Sequence, residues 1–152
     1  MIRRAEAKDA EALLRLERET EGAAHWGAAE YAQILKPGEG PLRRLVFMAE
    51  ESGDLQGFIV VKLLAGAPAE IENLAVAEKH RRRGVGAGLC RAALQAAHEA
   101  GADESELEVG AVNSAATNLY AGLGFTLCGK RKNYYAHTRQ DALLMKAKLP
   151  LA

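Results

Sequence analysis

EIENLAVAEKHRRRGVGAGLCRAALQAAHEAG, Glu70–Gly101, is the stretch that decides the reading. Glu70–Val76 reads as a strand, and the charged run AEKHRRR carries the chain from it to Gly84. From Val85 onward, Val85, Leu89, Ala93, Ala96 and Ala100 recur at three- and four-residue intervals. Arg91, Gln95, His98 and Glu99 take the opposite side, so the segment is an amphipathic helix that stops at Gly101. Between strand and helix lies RRRGVGAG, Arg81–Gly88. Glycines in such a loop let backbone N–H groups turn toward one point, and the helix N-terminus adds its positive dipole end. That arrangement suits a diphosphate, and Arg81, Arg82 and Arg83 strengthen the positive field.

Two rival phosphate motifs fail on the residues. A P-loop needs Gly-Lys-Ser/Thr, and no such triplet is present. The dinucleotide fingerprint needs a glycine where Leu89 stands, although Glu108 lies near the distance expected of its acidic residue. In that fingerprint the strand also runs almost directly into the first glycine, whereas here Ala77–Arg83 intervene. The plain alternative is a glycine turn beside a solvated basic run.

Outward from this stretch the chain alternates short elements. Ile2–Arg4 reads as an edge strand. Asp9 is placed to cap a helix over Ala10–Glu19, with Leu13, Leu14 and Glu17 at helical offsets. A second helix is expected from Gly27 to Leu35, stopped at Pro37 and the loose KPGEGP stretch. Strands Leu45–Glu50 and Gln56–Leu64 form a hairpin about Ser52-Gly53-Asp54. Glu106–Val109 is a short strand, Ser114 caps a helix ending at Gly124, and Phe125–Gly129 and Ala142–Leu149 close the order. Hairpins mixed with one β-α-β unit imply an α/β or α+β fold with a mixed sheet.

The composition excludes several classes. At 152 residues, 49% apolar and 26% charged, the chain fits one globular domain, 1–152. Its formal charge is zero, which gives no global pull toward nucleic acid or membrane. Lys62 interrupts the best apolar run, Phe58–Leu64, and the N-terminus lacks the apolar region of a secretory signal. Cys90 and Cys128 match no metal-ligand spacing, and the four histidines are scattered, so no metal is expected and a reducing, cytoplasmic setting is.

Leu74-Ala75-Val76, then Arg81-x-x-Gly84-x-Gly86 and the long helix, resembles the acetyl-CoA signature of GNAT-type N-acetyltransferases. The resemblance implies acetyl-CoA as co-substrate and a single-domain fold with a mixed, mostly antiparallel central sheet flanked by helices. It implies that the main chain of Leu74, Ala75 and Val76 pairs with the pantetheine arm. Arg81, Arg82, Arg83, Gly84, Val85, Gly86 and Ala87 would hold the pyrophosphate.

Glu106-Leu107-Glu108-Val109, Asn113, and Asn118-Leu119-Tyr120-Ala121-Gly122-Leu123-Gly124-Phe125 are similar to a narrower group, the bacterial ribosomal-protein N-terminal alanine acetyltransferases. Arg131-Lys132-Asn133-Tyr134-Tyr135, Asp141–Met145 and the early Trp26 resemble that group too. The implied acceptor is a protein N-terminal amine, in particular an N-terminal alanine of a ribosomal protein, with no direct nucleic acid and no membrane. Three positions depart from the group's pattern: Gly110 replaces its Arg, Ala136 a frequent Pro, and His25 the Pro before Trp26.

Amide formation from a thioester needs a neutral amine and a proton for the departing thiolate. An α-amino group titrates at about 7.7–8.0, within reach of a carboxylate base. The resemblance implies Glu108 as that base; the plain reading is a surface carboxylate alternating with Glu104 and Glu106 on one strand face. It implies Tyr120 as the acid, because a phenol near 10 stays protonated at neutral pH. The plain reading is a core tyrosine on the face with Ala116, Leu119 and Leu123. Asn113 either hydrogen-bonds the cofactor arm or serves helix entry. An acetyltransferase for a small amine and a catalytically silent CoA-binding module are the alternatives.

Overall fold

A computed structural model describes residues 1–20, 23–24, 26–36, 40–135 and 140–152, with 133–135 described in backbone alone. The element order is β1 (Ile2–Arg4), α1 (Ala10–Glu19), α2 (Ala28–Ile34), β2 (Leu42–Glu51), β3 (Asp54–Leu64), β4 (Ala69–Val76), α3 (Val85–Glu99), β5 (Glu104–Gly110), α4 (Ser114–Gly122), β6 (Thr126–Tyr135) and β7 (Gln140–Lys148). The strands form one seven-stranded sheet in the order β1-β2-β3-β4-β5-β7-β6. Every neighbouring pair is antiparallel except β4 and β5. The mixed, mostly antiparallel sheet expected from the sequence is therefore present, with β1 at one edge.

The two faces bury different helices. On one, Leu89, Cys90, Ala93, Leu94 and Ala97 of α3 and Tyr120 of α4 pack on Ile59, Val61, Ile71, Leu107, Val109 and Met145. On the other, Leu13 and Leu16 of α1 and Tyr31 of α2 cover Val46, Met48, Phe58, Val60 and Ala75. Burying one such Leu or Phe side chain stabilises the fold by about 1.5–3 kcal/mol.

An irregularity in β4 changes which way its side chains face. Val60 pairs with Asn73 but Val61 pairs with Ile71, so Glu72 is an extra residue, a bulge. The bulge reverses the alternation of β4. Ile71 packs on the α3 side before it, whereas after it Ala75 packs on the α1–α2 side and Leu74 on the α3 side.

The structure corrects several details of the sequence reading. The strands are longer than expected, because pairing in a sheet continues through the exposed charged residues Arg43, Glu104 and Arg131 that carry no apolar signal. Asp54 belongs to β3, and the hairpin turn is the pair Ser52–Gly53, at φ 52° and 80°. Asn113, not Ser114, caps α4: its side chain accepts the Ala116 N–H at 3.2 Å. Asp9 stands at the start of α1 but gives it no side-chain cap. Its carboxylate instead accepts Arg3 Nη1 and Nη2 at 3.0 and 2.9 Å and the Glu6 N–H at 2.7 Å.

That pairing ties β1 to α1 and has a pH signature. The Arg3 hydrogen bonds hold the Asp9 carboxyl below its ordinary value, against the opposing effect of burial. A depressed folded-state value means the contribution is fully present above about pH 3.9, the unfolded value, and fades as pH falls. Asp9→Asn is expected to lower the urea midpoint at pH 7, with the gap to wild type closing below about pH 3.9.

Candidate active site

The parallel contact between β4 and β5 is short. Ala69, Glu70 and Ile71 pair with Ser105, Glu106 and Leu107, and there the pairing ends. Beyond it, Leu74, Ala75 and Val76 pair only with β3, and Glu108, Val109 and Gly110 only with β7. Each strand thus turns an unpaired main-chain edge toward the other, in the middle of the sheet. Unpaired N–H and C=O groups are strong hydrogen-bonding sites for an extended ligand.

The glycine loop continues from the free end of β4. Arg81 Nε donates to the Val76 carbonyl at 3.2 Å, fixing the loop to the strand it leaves. Arg82 and Gly84 adopt left-handed conformations, φ 63° and 78°, and Gly84 is the N-cap of α3. Only at Gly84 is this geometry free of the Cβ penalty, which explains a glycine at that position. The first hydrogen bond of α3 runs from the Gly88 N–H to the Gly84 carbonyl at 2.9 Å. Among the described residues nothing accepts the N–H groups from Arg82 to Ala87. A run of free donors at a helix N-terminus, beside three arginines, is a fitting cradle for a diphosphate.

Tyr120 lies on the α3 side of the opening, 6% exposed, with its ring edge-on to Phe125 at 5.7 Å between centroids. Its hydroxyl makes no hydrogen bond among the described residues, and burial pushes the phenol well above its ordinary value. The group therefore stays protonated at any physiological pH. The plain sequence reading of Tyr120 holds, since the ring is core. Asn113 is a helix-entry residue through its Oδ1, and its Nδ2 makes no hydrogen bond among the described residues.

Glu108 projects to the opposite face. It alternates with Leu107 and Val109, which are core on the α3 side, so its carboxylate lies on the α1–α2 side. There it receives Arg131 Nη2 at 3.2 Å, with side-chain exposures of 24% for Glu108 and 54% for Arg131. Glu104 and Glu106 on the same face are exposed, so Glu108 is the more sheltered of the three. Glu108 and Tyr120 thus stand on opposite faces of a sheet whose β4–β5 pairing ends before Glu108.

Arg131 was given no role in the sequence-derived site, where it entered only within the run Arg131–Tyr135 that resembles the narrower group. The bulge at Cys128, between the pairs Leu127–Met145 and Gly129–Leu144, places Arg131 opposite Ala142 on the face of Glu108. Gln140 was also missed. Its side chain occupies the space a Cβ on Gly110 would enter, and its Oε1 accepts the Val112 N–H at 3.2 Å. The departure at Gly110 thus has a physical counterpart: Gln140 lies where a larger residue 110 would begin. His25, Ala136 and the side chains of Tyr134 and Tyr135 lie outside the described residues.

The sequence pattern of the Acetyltransferase (GNAT) family matches residues 10–125. The chain belongs to that family. An N-alpha-acetyltransferase of Sulfurisphaera tokodaii is 36% identical over 115 residues, 68% of each chain. The streptothricin acetyltransferase of Streptomyces lavendulae is 36% identical over 117 residues, 74% of this chain and 62% of that protein. The [ribosomal protein bS18]-alanine N-acetyltransferase of Escherichia coli K12 is 33% identical over 105 residues, 68% of this chain and 70% of its own. The crystal structure of the ribosomal-protein-S18-alanine N-acetyltransferase from Escherichia coli superposes with a TM-score of 0.85 at 29% identity, covering 100% of this chain and 95% of that one. The chain is thus a GNAT acetyltransferase, dependent on acetyl-CoA. Among its described residues no helix is long and apolar enough to cross a membrane.

Tyr120→Phe removes no protein hydrogen bond, so its melting temperature is expected to stay within about 2 °C of wild type by differential scanning calorimetry.

Proposed function

We propose that this enzyme transfers an acetyl group to a protein N-terminal α-amine, with an N-terminal alanine of a ribosomal protein as the favoured acceptor. The observation that carries the reading is the opening between β4 and β5. It offers an unpaired strand edge and a cradle of free N–H groups on the α3 side, and a sheltered carboxylate on the other. The relatives that act on N-terminal α-amines support the acceptor, as does the match to the S18-alanine enzyme over the whole of this chain.

Acetyl-CoA supplies the acetyl group as a thioester, already activated toward attack by an amine. Leu74, Ala75 and Val76 hold the arm by main-chain hydrogen bonds, the donors from Arg82 to Ala87 hold the diphosphate, and Asn113 Nδ2 is placed to assist. Glu108 takes a proton from the acceptor ammonium, directly or through water. The amine nitrogen bonds the acetyl carbon as the carbon–sulfur bond breaks, Tyr120 donates its proton to the departing sulfur, and the nitrogen sheds its second proton to water. Proton exchange with solvent restores Glu108 and Tyr120, and no covalent enzyme intermediate is needed. Arg131 is the cation that already occupies the face of Glu108, and an incoming ammonium competes with it there. The two free thiols, Cys90 and Cys128, accord with work in a reducing, cytoplasmic compartment.

A second reading keeps the same cofactor half and replaces the peptide by a small amine. The streptothricin acetyltransferase relative favours it. Matched peptides decide between them: one with a free N-terminal alanine and no lysine, one blocked with an internal lysine, alongside streptothricin. Acetyl-CoA-dependent mass gain on the first alone is expected. Glu108→Gln is expected to cut that rate by about 10²-fold or more at pH 7, with a smaller loss where the α-amine is already neutral, above about pH 8. Transfer to streptothricin alone contradicts the N-terminal reading, and an equal loss at every pH removes Glu108 as the base.

A further inference from the structure

Glu17 is 1% exposed, and none of the ion pairs among the described residues involves it. A carboxylate is withdrawn from water at great cost unless hydrogen bonds replace the lost solvation. Here Oε1 accepts the Tyr31 hydroxyl at 2.8 Å and the Trp26 N–H at 2.7 Å. The Tyr31 oxygen in turn accepts Asn73 Nδ2 at 3.1 Å, and Asn73 Oδ1 accepts the Ala24 N–H at 3.1 Å. Two main-chain N–H groups of the α1–α2 connection, at Ala24 and Trp26, are thus anchored by buried side chains, one from β4 and one from α1.

The placement of Asn73 explains why the anchors meet. It follows the bulge at Glu72, and without that extra residue its side chain would point into the α3 core. It lies beyond the last β4–β5 pair, on the free edge of β4 just before Leu74. We propose that Glu17, Tyr31 and Asn73 are positioning residues that clasp the α1–α2 connection to the opening of the sheet and so shape the acceptor side of the active site. This rests on the reading that the amine enters from the α1–α2 face, and it assigns a function to a buried carboxylate that the transfer chemistry does not use. The alternative is a purely structural core network, which would alter stability without altering acceptor recognition.

Tyr31→Phe tests the clasp with little disturbance, because it keeps the ring that packs on Phe58 and Trp26 and removes only the bridging hydroxyl. Trp26 is the only tryptophan of the chain, so its emission reports on the connection without any assay of activity. With excitation selective for tryptophan, Tyr31→Phe is expected to raise acrylamide quenching of Trp26 by about twofold. It is also expected to raise the acceptor KM about five- to tenfold, the equivalent of one lost hydrogen bond. The expected kcat and acetyl-CoA Kd stay within about twofold. Glu17→Leu should act in the same direction, and Glu17→Gln, which keeps an accepting oxygen, should recover most of the effect. Unchanged acceptor KM in a folded Tyr31→Phe overturns the proposal, whether or not quenching rises. Kinetics are run on whichever amine the wild type accepts, so absence of peptide transfer by wild type refutes the N-terminal reading separately and leaves this test standing.

Discussion

Three residue pairs join the two halves of the sheet. Ala69–Ser105, Glu70–Glu106 and Ile71–Leu107 make the only parallel ladder among the described residues, and the proposed site depends on its ending there. A sheet that stayed paired would seal the β4 edge with β5 and put Glu108 and Tyr120 on two separated surfaces. The bulge at Glu72 lies one residue beyond the last pair, where it re-aims β4. Bulges bend and twist a strand, and this one stands where the two strands part. Carboxylates face each other at the Glu70–Glu106 pair, and Lys62 at 2.7 Å from Glu70 offsets the repulsion. Arg44, bidentate on Glu72 at 2.8 and 3.2 Å, braces the bulge itself.

The opening also divides the chemistry between the two faces. The α3 face presents N–H donors, arginines and a buried phenol, suited to an anion and a leaving thiol. The α1–α2 face presents carboxylates of the central strands with cations from the flanking ones: Arg44 and Lys62 on one side, Arg131 on the other. A net charge of zero conceals this segregation, which only the alternation of strand residues produces.

The strand–loop–helix stretch from β4 to α3 was legible because it is local. A strand, seven intervening residues, Gly84 in a left-handed conformation and an amphipathic helix sit within one continuous stretch, and each step has its own sequence mark. The order of strands, with β7 inserted between β5 and β6, was not legible, since no local signal encodes which strands pair. Arg131 and Gln140 were missed for that reason: the bulge at Cys128 and the β6–β7 pairing bring them to Glu108 and Gly110 from distant sequence. Glu17 was seen at a helical offset beside Leu13 but not understood. A charge on the apolar stripe of a helix is the available mark, and its meaning depends on Asn73, a partner far along the chain.

The central claim is that the unpaired edge of β4 and the glycine loop together hold acetyl-CoA. Amide hydrogen exchange with and without acetyl-CoA, resolved by residue, tests it most directly. The account predicts slowed exchange confined to Leu74–Val76 and to Arg82–Ala87, with the β4–β5 ladder at Ala69–Ile71 unchanged. Protection elsewhere, or acetyl-CoA binding that leaves both segments exchanging as in the free enzyme, would contradict it.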